Sequence, residues 1–176
     1  SDVCSSDLDK GITIEDAYSV NVADNRVRNS GDDGIEVEDV YGNLIIADNV
    51  VRKSGENGID VDYAYSASIA GNTVRNSDDD AIHVEDVYGY GSEYAVFIAG
   101  NTITKTGDDG IEVLYAGRTR IEGNEISDIG VSRDEGDFFG ADAIHVRNVN
   151  GGKGFGDTFI GAANLDIIRE DTTNYA

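Results

Sequence analysis

The chain has no proline, no methionine and no tryptophan, and a single cysteine among 176 residues. It is almost as poor in positive charge: 13 Lys and Arg stand against 35 Asp and Glu, for a formal net charge of −22. Each shortage excludes something. Phosphate backbones need Lys and Arg, so a nucleic-acid partner is excluded. The absence of a long apolar run excludes a membrane-spanning segment. One cysteine cannot build a disulfide framework or a thiolate metal site. The missing methionine includes the initiator, which leads us to expect a processed product or a fragment. High charge is a mark of disorder, but 39% of the residues are apolar. Their periodic arrangement supplies a core of single-domain size.

The first eight residues, SDVCSSDL, lack the periodicity found later. Back-translated, they resemble the tail of a short-read sequencing adapter. Residues 1–8 are therefore expected to be a non-native leader, and Cys4 then carries no information on redox compartment. Any signal peptide would lie upstream of it.

Repeats dominate what remains. Segments beginning GITIEDAY at Gly11, GIEVEDVY at Gly34 and GIDVDYAY at Gly58 continue as AIHVEDVY at Ala81, GIEVLYAG at Gly110 and AIHVRNVN at Ala143. Their spacings are 23, 24, 23, 29 and 33 residues. A second motif, of the IAGN type, ends at Asn25, Asn49, Asn72, Asn101 and Asn124. A small acidic turn precedes most first segments, as in Gly31-Asp32-Asp33 and Gly107-Asp108-Asp109. Alternation has period two, so the pieces are strands. Pairs such as Ile35 and Val37 point inward in the first strand, Ile46 and its equivalents in the second, and Val51 and its equivalents in the third. Three short strands cannot close a core alone. Stacked about 4.8 Å apart, they form continuous aliphatic ladders.

The Gly/Ala-Ile-x-Val and Ile-Ala-Gly-Asn-x-Val elements resemble the right-handed parallel β-helix repeats of the pectate-lyase-like superfamily, from Gly11 to about Asn150. The resemblance implies an all-β fold: a single-stranded right-handed parallel β-helix of about six coils with three short strands per coil. It would occupy residues 9–176, with 151–176 a degenerate last coil or cap, and further β-helix coils of a longer parent chain would adjoin it. It also implies a bacterial protein that is extracellular or on the cell surface. In such folds a turn Asn stacks as an internal amide ladder, a role the five Asn match. Asn tolerates left-handed backbone and bonds to neighbouring turns.

The outward positions form columns as well. One reads Thr13, Glu36, Asp60, His83, Glu112, His145, and the next Glu15, Glu38, Asp62, Glu85, Leu114, Arg147. Like charges about 4.8 Å apart repel. Two readings fit. Calcium sits between coils, held by Asp32, Asp33, Asp79, Asp80, Asp108 and Asp109; or these acids only solvate a surface, as in a salty milieu. The GDDG turn is loosely similar to calcium-binding nonapeptide repeats, but a period of 23 does not match them. A tyrosine column, Tyr18, Tyr41, Tyr65 and Tyr88, is either an aromatic ladder covering a turn or an exposed stripe that stacks on sugars.

Repeat monotony breaks in the later coils, at the longer turns Gly89–Tyr94 and Val131–Gly140. There lie both histidines, His83 and His145, with Glu112 between them and Asp142 and Arg147 near. The superfamily's polysaccharide-acting members bind along the outward face of one sheet. By that resemblance an enzyme would carry catalytic residues among His83, Glu112, Asp142, His145 and Arg147, and substrate contacts at Tyr88, Tyr115, Phe138 and Phe139. A lyase or epimerase needs a base and a carboxylate-binding cation, and a glycoside hydrolase needs two spaced carboxyls. Nearly every acidic pair here meets that spacing, so spacing decides nothing. The two histidines, about 9.6 Å apart, are too distant for one tetrahedral metal site. An acidic face repels a polyanion unless cations invert its sign. The near-identity of the first three coils favours a structural or carbohydrate-binding solenoid over a polysaccharide lyase, epimerase or glycoside hydrolase.

Overall fold

The computed structural model describes residues 10–89, 94–130 and 142–147 in full, and the backbone of strands Asp2–Cys4, Lys153–Phe155, Thr158–Ile160 and Asn164–Glu170. All strand pairs are parallel, and each strand bonds to its equivalent one repeat away. The third strands form a seven-stranded sheet running through Arg26–Arg28, Val50–Ser54, Thr73–Ser77, Thr102–Thr106 and Glu125–Ser127. Asp2–Cys4 adds to the start of this sheet, in register with Arg26–Arg28, and Thr158–Ile160 to its end, beside Glu125–Ser127. First and second strands make up the other sheet, because in two coils they run together as Ile35–Ala47 and Ile59–Ala70.

Register matches the sequence columns residue by residue. Ile12, Ile35, Ile59, Ile82, Ile111 and Ile144 stack in order. So do Val22, Ile46, Ile69, Ile98 and Ile121, and Val27, Val51, Val74, Ile103 and Ile126. From Ile35 onward these ladder residues are fully or almost fully buried. Each contributes about 1.5–3 kcal/mol by leaving water. A slip of one residue would turn every one of them outward, so burial fixes the register.

The corner after the second strand holds the amide ladder. The Asn25 backbone N–H donates to Asn49 Oδ1 at 2.9 Å and its Nδ2 to the same oxygen at 3.1 Å. The pattern repeats from Asn49 to Asn72, Asn72 to Asn101 and Asn101 to Asn124. One correction follows for the origin of this corner. The left-handed residue is not the Asn but the one before it: Asp24, Asp48, Gly71, Gly100 and Gly123, with φ between 54° and 68°. Asn is needed for its two-sided hydrogen bonding, and Gly or Asp supplies the turn.

Candidate functional site

The outward column of the first strands begins at Thr13 and continues as a stack of ionisable groups in register: Glu36, Asp60, His83, Glu112, His145. From Asp60 on, acid and imidazole alternate. His83 Nδ1 lies 2.7 Å from Asp60 Oδ1, and His83 Nε2 lies 3.2 Å from Glu112 Oε2. The other Glu112 oxygen, Oε1, is 3.0 Å from His145 Nδ1, which is also 3.2 Å from Asp109 Oδ2. Burial alone disfavours an imidazolium at His83, yet its bonds to Asp60 and Glu112 outweigh this and raise its pKa to about 11. Bonds to Asp109 and Glu112 raise His145 to about 10 against the opposing effect of burial. Burial pushes the Glu112 carboxyl up, but its bonds to His145 and His83 prevail and bring it to about 2. At neutral pH the column therefore carries fixed, alternating charges. Earlier in the column Glu36 is neutralised differently, by Lys10 Nζ at 2.5 Å.

The acidic turns divide into two sets. Asp33, Asp80, Asp109 and Asp142 are buried. All four, with Asn57, make a second hydrogen-bonded ladder. Asp33 Oδ1 accepts from the Asn57 N–H at 2.9 Å, and Asn57 Oδ1 accepts from the Asp80 N–H at 3.1 Å. Asp80 Oδ1 accepts from the Asp109 N–H at 2.7 Å, and Asp109 Oδ1 from the Asp142 N–H at 2.5 Å. Their neighbours Asp32, Asp79 and Asp108 stay at the rim. Asp142 joins this buried turn ladder through its backbone N–H.

Crowding leaves its mark on the turn acids. Burial, then the Asp60 charge, pushes Asp33 up to about 7, only partly offset by the Asn57 N–H. Burial and the Asp109 charge hold Asp80 well above the usual carboxylate range. Glu56 is raised by its hydrogen bond to Asp32 and by the charge of the same residue. Asp32, Asp33 and Glu56 offer carboxylate oxygens within 4.8 Å of one another, as do Asp79, Asp80 and Asp108. Both groups offer the oxygen ligands that a hard cation takes. Glu56 was not among the sequence candidates; its turn, Gly55-Glu56-Asn57, is the acidic turn of its coil.

A third feature lies at the bend between first and second strands. Ala17, Val40, Ala64, Val87 and Ala116 form a column of small residues there, the last four of them buried. The residue before each is left-handed: Asp16, Asp39, Tyr63, Asp86 and Tyr115. The residue after reads Tyr18, Tyr41, Tyr65, Tyr88 and Gly117. All six of these tyrosines are exposed, from 40% at Tyr65 to 80% at Tyr18. Val40 and Ala64 floor a shallow trough of about 270 Å³, walled by Asp39, Tyr63 and Asp86 on one side and Tyr41, Tyr65 and Tyr88 on the other. Tyr88 Oη donates to Asp86 Oδ1 at 2.5 Å. The alternation of Asp and Tyr in the first wall escaped the sequence reading, which followed only the second.

Arg147 is exposed, opposite Leu114 at the strand end. Phe138 and Phe139 lie outside the described residues, as does the whole of the Val131–Gly140 turn that contains them. Of the Gly89–Tyr94 turn the ends are described: Arg118 and Arg120 stand over the Tyr94 ring at 5.4 and 5.6 Å.

Fold and columns together define a parallel β-solenoid with an ion-paired outward face and an aromatic trough. The chain belongs to the right-handed β-helix family, whose model, "Right handed beta helix region", matches residues 57–175, and to the family described as "Periplasmic copper-binding protein (NosD)", whose model matches residues 1–90. No curated protein and no solved structure gave a match. No helix among the described residues is long and apolar enough to cross a membrane.

Proposed function

We propose that the chain is part of an extracellular or cell-surface structural solenoid whose tyrosine trough binds carbohydrate and whose acidic turns are bridged by calcium. The exposed trough carries this reading. Tyrosine rings offer apolar faces for sugar rings, and the Asp39 and Asp86 carboxylates accept from sugar hydroxyls. The periplasmic description of one matched family supports a site outside the cytoplasm. The acidic surface favours an uncharged polysaccharide over a polyuronate.

Affinity electrophoresis in a neutral glucan and in a polyuronate tests the trough. Retardation is expected in the neutral polymer only. Tyr65→Ala should weaken it about fivefold, the equivalent of roughly 1 kcal/mol for one aromatic contact. Equal mobility of wild type and variant would remove the trough from the proposal. Calcium is tested by thermal melting. With calcium at about a hundredfold excess over its Kd, stabilisation is about 2.7 kcal/mol. Chelation should then lower the Tm by roughly 5–10 °C for a chain of this size. Asp32→Asn and Asp79→Asn should each reduce that shift, and an unchanged Tm on chelation would end the calcium role.

The enzyme reading draws less support from the same geometry. A general base must be free of its proton at working pH, and both imidazoles are held protonated. Asp142, one of its five residues, is tied into the buried turn. A polysaccharide lyase, epimerase or hydrolase acting here would have to break the ion-paired column first.

A further inference from the structure

At the last described step of the outward column two carboxylates converge on one imidazole nitrogen. Asp109 Oδ2 and Glu112 Oε1 lie 3.2 and 3.0 Å from one atom, His145 Nδ1. A single N–H cannot be aimed well at two oxygens. Donors at about 2.1 Å around a tetrahedral ion lie about 3.4 Å apart, so a small outward adjustment of these side chains admits one. All three side chains offer an atom within 4.8 Å of the other two.

We propose that Asp109, Glu112 and His145 form a binding site for a divalent transition-metal ion such as Zn²⁺. One imidazole and two carboxylates are a mixed nitrogen and oxygen set, which suits these ions better than calcium. The remaining atoms of the ligands are already held. Asp109 Oδ1 accepts from the Asp142 N–H at 2.5 Å, which orients the free oxygen. Glu112 Oε2 is held by His83 Nε2, and His83 in turn by Asp60. Such outer partners fix the direction of metal ligands. Side chains of Glu112 and His145 keep 19% and 18% of their exposure, so an ion enters from solvent and retains water on its open side. The metal takes the place of the Nδ1 proton, which leaves to solvent. None of its three ligands belongs to the Asp32, Asp33 and Glu56 group or to the Asp79, Asp80 and Asp108 group.

The chain has two histidines, so nuclear magnetic resonance of the imidazole nitrogens resolves the question directly. Titration with Zn²⁺ is expected to shift His145 Nδ1 strongly and His83 only slightly, at one equivalent. By calorimetry, His145→Gln and Glu112→Gln should each weaken Zn²⁺ about a hundredfold or more. His83→Gln, one shell out, should weaken it about tenfold. A large excess of Ca²⁺ should leave the His145 signal in place. If Zn²⁺ moves neither imidazole, or moves His83 alone, the site does not exist. Equal Zn²⁺ affinity in His145→Gln has the same meaning. The wild-type titration needs no variant to fold, so it decides the matter alone if the variants are unstable.

Discussion

Asn72→Ala is expected to destabilise the protein by about 3–5 kcal/mol. Asn72 Oδ1 receives two bonds from the coil before, from the Asn49 N–H and the Asn49 Nδ2, both at 3.0 Å. Its own Nδ2 donates to Asn101 Oδ1 at 3.0 Å and to the Ile46 carbonyl at 2.9 Å. Removing the amide leaves two donors and a carbonyl without these partners in a place water does not reach. Each such group costs about 1–3 kcal/mol, and the vacated volume adds a smaller cavity cost. Melting should fall by roughly 10 °C or more. Asn72→Asp separates the contributions, since it keeps the accepting oxygens and loses the donor. At the half-exposed start of the ladder, Asn25→Ala should cost only about 1 kcal/mol, because water replaces what is lost. Equal losses at positions 25 and 72 would mean that the ladder does not act through burial.

The contrast between positions 25 and 72 shows why some of this protein is legible in its sequence. Stacking forces equivalent residues into register, so a column of Ile at a spacing near 23 identifies both strand and face. Ile35, Ile59, Ile82 and Ile111 needed no further information. Side chains that work in pairs across coils are harder. Period and spacing placed Asp32 and Asp33 together, but not which of them turns inward. The signal was nonetheless present: the equivalent of Asp33 in the next coil is Asn57, which has an acceptor oxygen and no charge. A position that accepts either Asp or Asn is serving a backbone N–H. For Glu112 the spacing gave the correct neighbours, His83 and His145, but not that one carboxylate reaches both. Rotamers decide that, and a linear pattern does not contain them. The bend was missed for another reason. Asp39, Tyr63, Asp86 and Tyr115 share no side-chain chemistry; what they share is a left-handed backbone.

The alternating column makes the metal-free protein most stable in mild acid, between about pH 4.5 and 6.5. The two imidazoles are raised to about 11 and about 10 from an ordinary value of 6.5. A raised base stabilises fully below its unfolded pKa, and that contribution is lost as pH climbs through the folded value. Both histidines thus favour pH below 6.5. Glu112 is lowered to about 2 from 4.5. Its contribution is complete above 4.5 and is lost as pH falls toward 2. Two acids draw the optimum toward the lower end of this window. Asp33, raised to about 7 by burial and the Asp60 charge, and Asp62, raised to about 6 by burial and the Glu85 charge, favour the fold fully only below the ordinary 3.8, and that contribution is lost as pH rises to the folded values. Melting in chelator across pH 3–10 should therefore rise from pH 9 to pH 6 and fall again below pH 4. Glu112→Gln removes the anion that two imidazoliums share. Breaking a buried pair costs about 3–5 kcal/mol; these side chains keep almost a fifth of their exposure, which brings the expected loss at pH 6 to about 2–4 kcal/mol. The difference between variant and wild type should shrink progressively as pH climbs from 6.5 toward 11, the range in which unfolding releases the imidazole protons. A variant penalty that does not change between pH 6 and pH 10.5 would show that Glu112 acts by shape and not by charge.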